Sequence, residues 1–452
     1  MTKDMTQGSP VRHILLFSIP LLIGNVFQQF YSMVDTIIVG RFVGVDALAA
    51  VGSTGSLVFL INGFALGLTS GFSVMVSQRF GANDEKGLRK AVSSSVVLCT
   101  ALVIILTTIS LIAAKPLLHL MNTPDNIFND AYTYVAIIFA GIITTVAYNM
   151  MASILRALGD SKSPLYFLII SSVLNIILDL VFIINFKMGV AGAAYATIIS
   201  QGVSAILCFI YILNKYTILK LAREDYNVKK SMYIRHLKIG IPMALQFSIT
   251  ALGLLTVQGA LNVLGSTVIA AYTASSKALQ LVMQPAVTYG VTMATYCGQN
   301  LGAKRYDRIS DGVNKAVKIS IITSLIAGFV LIAFGTQFVK LFIDNPDAQI
   351  IAYSKQVLTI SGIFFIPLGL IFIFRNALQG IGESFVPMMA GVAELGARAL
   401  VAFTLPSFLG FFGICLADPV AWIAAAVPLA IYYYITIKKL LAKYDTSVEV
   451  IA

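Results

Sequence analysis

Charge is scarce in this chain: 11% of its 452 residues are Asp, Glu, Lys or Arg, against 58% apolar. Soluble domains carry about 25% charged residues, so a soluble globular chain is excluded. Cysteine is nearly absent. Cys99, Cys208, Cys297 and Cys415 stand singly, within or at the edges of apolar segments, which excludes a disulfide framework and a thiolate metal site. His13, His119 and His236 are far apart and lack ligand spacing. There is no G-x-x-x-x-G-K-[ST] phosphate loop, G-x-S-x-G elbow or H-E-x-x-H pair. An enzyme reading therefore has no motif to rest on, and neither a nucleotide nor a cofactor is expected.

Long apolar runs are abundant. Stretches of about 20 or more apolar residues recur from end to end, the length needed to cross a bilayer. Twelve spans are expected, making an all-α membrane protein. The net charge of +11 does not mark a nucleic-acid binder, because the basic residues cluster in alternate connections. Only Arg41, Lys115, Lys187, Lys340 and Lys355 fall on the other side, so the positive-inside rule places both termini in the cytoplasm. The first apolar stretch is too long for a signal-peptide core and reads as the first transmembrane helix.

The chain also repeats itself. Ile19-Pro20 recurs as Ile241-Pro242, and Gly44-x4-Ala49-Ala50 as Gly265-x4-Ala270-Ala271. Gln78-x-x-Gly81-Ala82 recurs as Gln299-x-x-Gly302-Ala303, and Pro124-Asp125 as Pro346-Asp347. Gly159-Asp160-Ser161-x-x-Pro164 recurs as Gly382-Glu383-Ser384-x-x-Pro387. These matches stay in order and in register, so a six-helix unit has been duplicated with unchanged orientation. The expected organisation is an N-terminal lobe at 1–213, a polar linker at 214–235 and a C-terminal lobe at 236–452.

Acids within spans are few: Asp35, Asp179 and Glu394. A carboxylate at the bilayer centre costs about 2.5–3.5 kcal/mol on insertion scales, so each should face protein or water. Asn175 and Asp179 are four apart and share a helix face. A polar pair can simply bond two helices together; a buried Asp one turn from an amide points further, to a proton or cation site. At 1.5 Å per residue, Asp35, Asp179 and Thr197 lie about 8–10 Å from the same end of their spans. Oxygen ligands alone suit H⁺ or a hard cation such as Na⁺, although a Thr in a span most often bonds its own backbone. Gln28, Tyr31 and Asp35 form one stripe, lining a wet cavity or pairing with a neighbouring helix. Pro20 removes a backbone hydrogen bond and is a natural hinge. Gly63, Gly67 and Gly71 make a packing face. Glu394 and Arg398 are one turn apart and neutralise each other, while Lys277 has no local partner and is expected to snorkel outward.

Taken together, Pro20…Gln28-x-x-Tyr31-x-x-x-Asp35-Thr36, Asn175-x-x-x-Asp179, Thr197 and the doubled signatures resemble the multidrug and toxic compound extrusion (MATE) transporters. The resemblance implies twelve helices in two pseudo-symmetric six-helix bundles. It implies export of small organic cations or amphipathic drugs in exchange for H⁺ or Na⁺ across a bacterial-type inner (plasma) membrane. In the branch similar to DinF and archaeal members it places coupling on Asp35, Asn175, Asp179 and Thr197. Gln28, Tyr31 and, loosely, Asn149 match drug-cavity positions. The NorM-type acidic residue of the seventh helix is missing from Ile241-Pro-Met-Ala-Leu-Gln-Phe-Ser-Ile-Thr250, which leaves the N-terminal lobe as the coupling site. Two alternatives are a lipid-linked precursor flippase of the same superfamily and a passive channel. A flippase should offer several unpaired Arg or Lys, where Lys277 is the one evident candidate; a channel should show a filter-like motif, and none is present.

Overall fold

The computed structural model describes residues 4–343 and 346–449, and among them every regular element is helical. Seven helices fill the first half: α1 (Pro10–Phe42), α2 (Val45–Gly81), α3 (Glu85–Leu120), α4 (Asp125–Ala140), α5 (Ile142–Ala157), α6 (Lys162–Leu180) and α7 (Gly189–Lys215). Ten follow: α8 (Lys230–Asn262), α9 (Ser266–Val282), α10 (Gln284–Gly302), α11 (Tyr306–Phe342), α12 (Ala348–Ile363), α13 (Phe365–Gly380), α14 (Phe385–Thr404), α15 (Pro406–Leu409), α16 (Phe411–Cys415) and α17 (Ala417–Glu449).

Among the described residues, nine stretches are long and apolar enough to cross a membrane. The α4–α5 pair, bent by 47°, and the α12–α13 pair, bent by 51°, each make one further broken span. With α9–α10, interrupted at Met283, the count agrees with twelve. The two sharp bends fall in the fourth and tenth spans, the same place in each repeat. Local signals explain the ends. Asp84 caps α3 by accepting from the Gly87 N–H at 2.8 Å, and Asp347 caps α12 by accepting from Ile350 N–H at 2.8 Å. Gly159 and Gly382, matched positions of the repeat, both turn through positive φ (84° and 94°), a conformation open to glycine at little cost.

Two compact units emerge: Ile19–Phe247, and Met5–Ser18 together with Ser248–Ala452. These limits differ from a cut through the polar 214–235 linker. Met5 is fully buried in the second unit, its N–H donating to Gln299 Oε1 at 2.9 Å while its carbonyl accepts from Arg308 at 3.1 Å. Ser18 shares a hydrogen bond of 2.8 Å with Thr292. The start of α8 belongs to the first unit for an equally physical reason. An ideal Cβ on Gly71 would lie 2.5 Å from Gly240 Cα, and one on Gly67 would lie 2.6 Å from the Met243 carbonyl oxygen. Bare backbone at these positions lets α2 and α8 touch, which is the packing use expected of that glycine face.

The linker is also fastened to the first unit. Asp225 is buried, accepts from Ala222 N–H at 2.8 Å and lies 3.6 Å from Arg89, while its carbonyl accepts from Ser93 Oγ at 2.6 Å. Tyr216 donates to Asp160 at 2.7 Å.

Candidate functional site

The first unit brings Tyr31, Asp35 and Asp179 within electrostatic range of one another. Asp35 and Tyr31 come from α1, Asn175 and Asp179 from α6, and Thr197 from α7. Asp179 is fully buried and Asn175 is 1% exposed, whereas Asp35 is half-buried. The carboxyl groups of Asp35 and Asp179 lie within electrostatic range of each other. Yet no protein donor reaches Asp35 Oδ1, either carboxylate oxygen of Asp179 or the Asn175 amide oxygen, and no protein acceptor reaches Asn175 Nδ2. Five polar atoms are thus withdrawn from solvent without partners in one small region. An unmet buried polar group costs about 1–3 kcal/mol, and more when charged, so such a cluster is retained only where something else satisfies it.

Backbone geometry favours this arrangement. Directly after Asp179, α6 widens: Phe186 N–H bonds to Val181 C=O at 3.1 Å, five residues back instead of four. Wide turns of this kind are rare and cluster at functional sites, because they re-aim side chains near a helix end. The Thr197 hydroxyl donates to Ala193 C=O at 3.0 Å, the ordinary use of Thr in a helix. Its oxygen lone pairs remain free to accept or to ligate.

Tyr134 of α4 was not singled out by the sequence. It is 9% exposed and, with Tyr31, lies within electrostatic range of both carboxylates. At helical spacing it meets Asp130, near the start of α4, and it stands close to Phe128 and Tyr132, so pattern alone does not point it at Asp35 or Asp179. Gln28 is exposed and Asn149 half-buried. Pro20 is buried inside an uninterrupted α1, two residues after the chain passes from one compact unit to the other at Ser18–Ile19.

The second unit holds a different polar cluster. Arg398 donates to Glu394 at 2.9 Å, as its spacing predicts, and also to Asp418 at 2.8 Å. Arg375 donates to the other Glu394 oxygen at 2.9 Å, and the Tyr272 hydroxyl donates to the other Asp418 oxygen at 3.0 Å. Pairing across four helices could not be read from residues one turn apart. Lys277 is exposed.

Two repeated helical halves, long apolar helices and buried acids within them define a polytopic membrane transporter. The chain belongs to the MatE family, whose model matches it twice, over residues 20–181 and 242–404. It is 30% identical to YpnP, a probable multidrug resistance protein of Bacillus subtilis, over 95% of this chain and 96% of the relative. It is 28% identical to YoeA of the same organism, also a probable multidrug resistance protein, over 97% and 96%. The fold is similar to a crystal structure of a MATE protein in a bent conformation, with a TM-score of 0.91 at 24% identity over 98% and 99% of the two chains. It is likewise similar to a MOP-superfamily transporter from Pyrococcus furiosus, with a TM-score of 0.90 at 24% identity over 97% and 98%.

Proposed function

We propose that this protein is a secondary active antiporter that exports cationic or amphipathic organic compounds in exchange for H⁺ or Na⁺. The observation that carries the reading is the pair of Asp35 and Asp179, within electrostatic range of each other, with three of their four carboxylate oxygens withdrawn from solvent and lacking a protein donor. Two carboxylates held together out of water need a counter-charge. A proton between them or a hard cation among Asp35, Asn175, Asp179 and Thr197 supplies it, with Tyr134 as a further flanking group.

Binding there neutralises the α1–α6 contact. Alpha-helix α1 then repositions about Pro20, altering the surface that carries Gln28, Tyr31 and Asn149 and releasing the compound held on it. An ion can drive this only by the difference in its affinity for the two states. At 100 mV each net inward charge contributes about 2.3 kcal/mol, a bias gained when the compound leaves uncharged or when more than one ion enters per monovalent cation exported. The distribution of basic residues supports a cell-membrane protein with both ends in the cytoplasm. A flippase reading is weaker, since Arg375 and Arg398 are already committed to carboxylates.

The test is drug efflux from proteoliposomes under separately imposed pH and sodium gradients. Asp35→Asn and Asp179→Asn should each cut gradient-driven efflux by tenfold or more while leaving drug binding measurable. Undiminished efflux from both variants refutes the mechanism.

A further inference from the structure

The repeat allows the acid cluster of the first unit to be compared with its own copy. The two family matches end at residues 181 and 404, so the stretch around α6 aligns with α14 at an offset of 223. Asn175 then corresponds to Arg398, and Asp179 to Ala402. The matches begin at 20 and 242, an offset of 222, which pairs Asp35 with Val257 and Tyr31 with Gly253. Both acids of the first repeat have become apolar in the second, and the amide between them has become a guanidinium.

That guanidinium lies against Gly253, the second repeat's counterpart of Tyr31. An ideal Cβ on Gly253 would lie 2.4 Å from Arg398 Nη1, so the missing side chain at the Tyr31 position makes the space for it. All four carboxylate oxygens of Glu394 and Asp418 accept a hydrogen bond from Arg375, Arg398 or Tyr272. Their side chains with those of the two arginines are at most 23% exposed. Two cations and two anions cancel. The orphan atom left over is Arg375 Nε, a donor that would repel an incoming cation. In the first unit the unpartnered atoms are mostly acceptors, three carboxylate oxygens and the Asn175 amide oxygen beside its Nδ2, and among the described residues no basic side chain bonds them.

We infer that Arg398 is a tethered cation filling the second repeat's counterpart of the ion site, so that ion binding is confined to one site per chain, in the first repeat. The duplicated half keeps the electrostatic architecture but carries its counter-ion covalently. It therefore holds a single charge state whatever the ion gradient. This rests on the proposed ion site of the first unit, and the experiment separates the two.

The protein is purified with Asp35→Asn and Asp179→Asn together, and its melting is followed in NaCl against choline chloride at equal ionic strength, from pH 6 to 8. With Arg398 intact, melting should be indifferent to both variables. Adding Arg398→Gln should lower the melting temperature and make it recover with Na⁺, with acid or with methylguanidinium, each replacing the lost charge. Arg398→Lys, which keeps a tethered cation, should stay ion-indifferent. Melting of the Arg398→Gln protein unmoved by all three additions overturns the inference. Should that variant not fold, saturable Na⁺ or proton binding by the Asp35→Asn/Asp179→Asn protein decides: binding abolished by Glu394→Gln overturns it, and no binding upholds it. A wild-type chain with no ion-dependent melting refutes the antiport reading alone, because the Arg398→Gln arm is read without the first site.

Discussion

Gln299 accepts a hydrogen bond of 2.9 Å from the backbone N–H of Met5, a residue 294 positions earlier. Its repeat counterpart, Gln78, accepts a longer one of 3.5 Å from Arg235, in the opening turns of α8, the first helix of the second repeat. The Gln-x-x-Gly-Ala signature thus has the same task twice: each copy seizes the segment leading into the opposite repeat. Asn300 adds to the grip, donating to Met5 C=O at 3.3 Å. Replacing Gln299 by Ala should leave the Met5 N–H buried without a partner, at a cost of about 1–3 kcal/mol. Hydrogen exchange should accelerate over residues 5–18 and stay unchanged in α4 and α6. Uniform exchange across the chain would contradict the clamp.

Asn175 separates structural from functional use of one residue. Both of its amide atoms are buried without partners. Exchanging an orphaned polar group for an apolar one of similar shape is nearly neutral or stabilising. Asn175→Leu should therefore melt at the same temperature as wild type or slightly higher, while ion-driven efflux falls at least tenfold. A marked drop in melting temperature would mean that the amide has a structural partner.

Gly71 tests the approach of α2 and α8. Any Cβ there meets Gly240 Cα at 2.5 Å, and the neighbour is backbone, which cannot rotate aside. Gly71→Ala should destabilise the protein by about 1–3 kcal/mol, the usual cost of overpacking. Gly52→Ala, with open space around it, serves as the control and should have little effect. Equal melting of the two variants would count against the close contact.

Asp160 supplies a pH signature outside the spans. Burial alone would raise its pKa, but hydrogen bonds from Ser163 Oγ (2.6 Å), Ser163 N–H (3.0 Å), Tyr216 (2.7 Å) and Lys162 N–H (3.1 Å) outweigh it and hold the carboxyl below its ordinary value. A depressed folded-state pKa stabilises fully above the unfolded value, about 3.9, and that contribution is lost as pH falls through the folded value. The melting gap between wild type and Asp160→Asn should be constant at neutral pH and shrink below about pH 4. Tyr216→Phe should remove part of the same gap, about 1 kcal/mol. A gap that widens in acid would reverse the sign and refute the assignment.

The sequence by itself determined the class, the duplicated unit and the handful of polar residues that do not belong in a bilayer. Membrane solvent imposes those regularities locally: an apolar run must be a helix, and Asp35 or Asp179 inside one must have a reason. Spacing along a single helix also yielded Asn175 with Asp179 and Glu394 with Arg398, because four residues make one turn. Only the tertiary structure decided what lies across from each of them. Tyr134 beside the acid pair, Arg375 and Asp418 around Glu394 and Arg398, and Met5 in the grasp of Gln299 are all pairings between separate helices or distant segments. No periodicity encodes them. The same limit explains the unit boundaries, drawn at Ser18 and Phe247 by bare glycine backbone and a few long-range hydrogen bonds, where polarity alone marked the loop at 214–235.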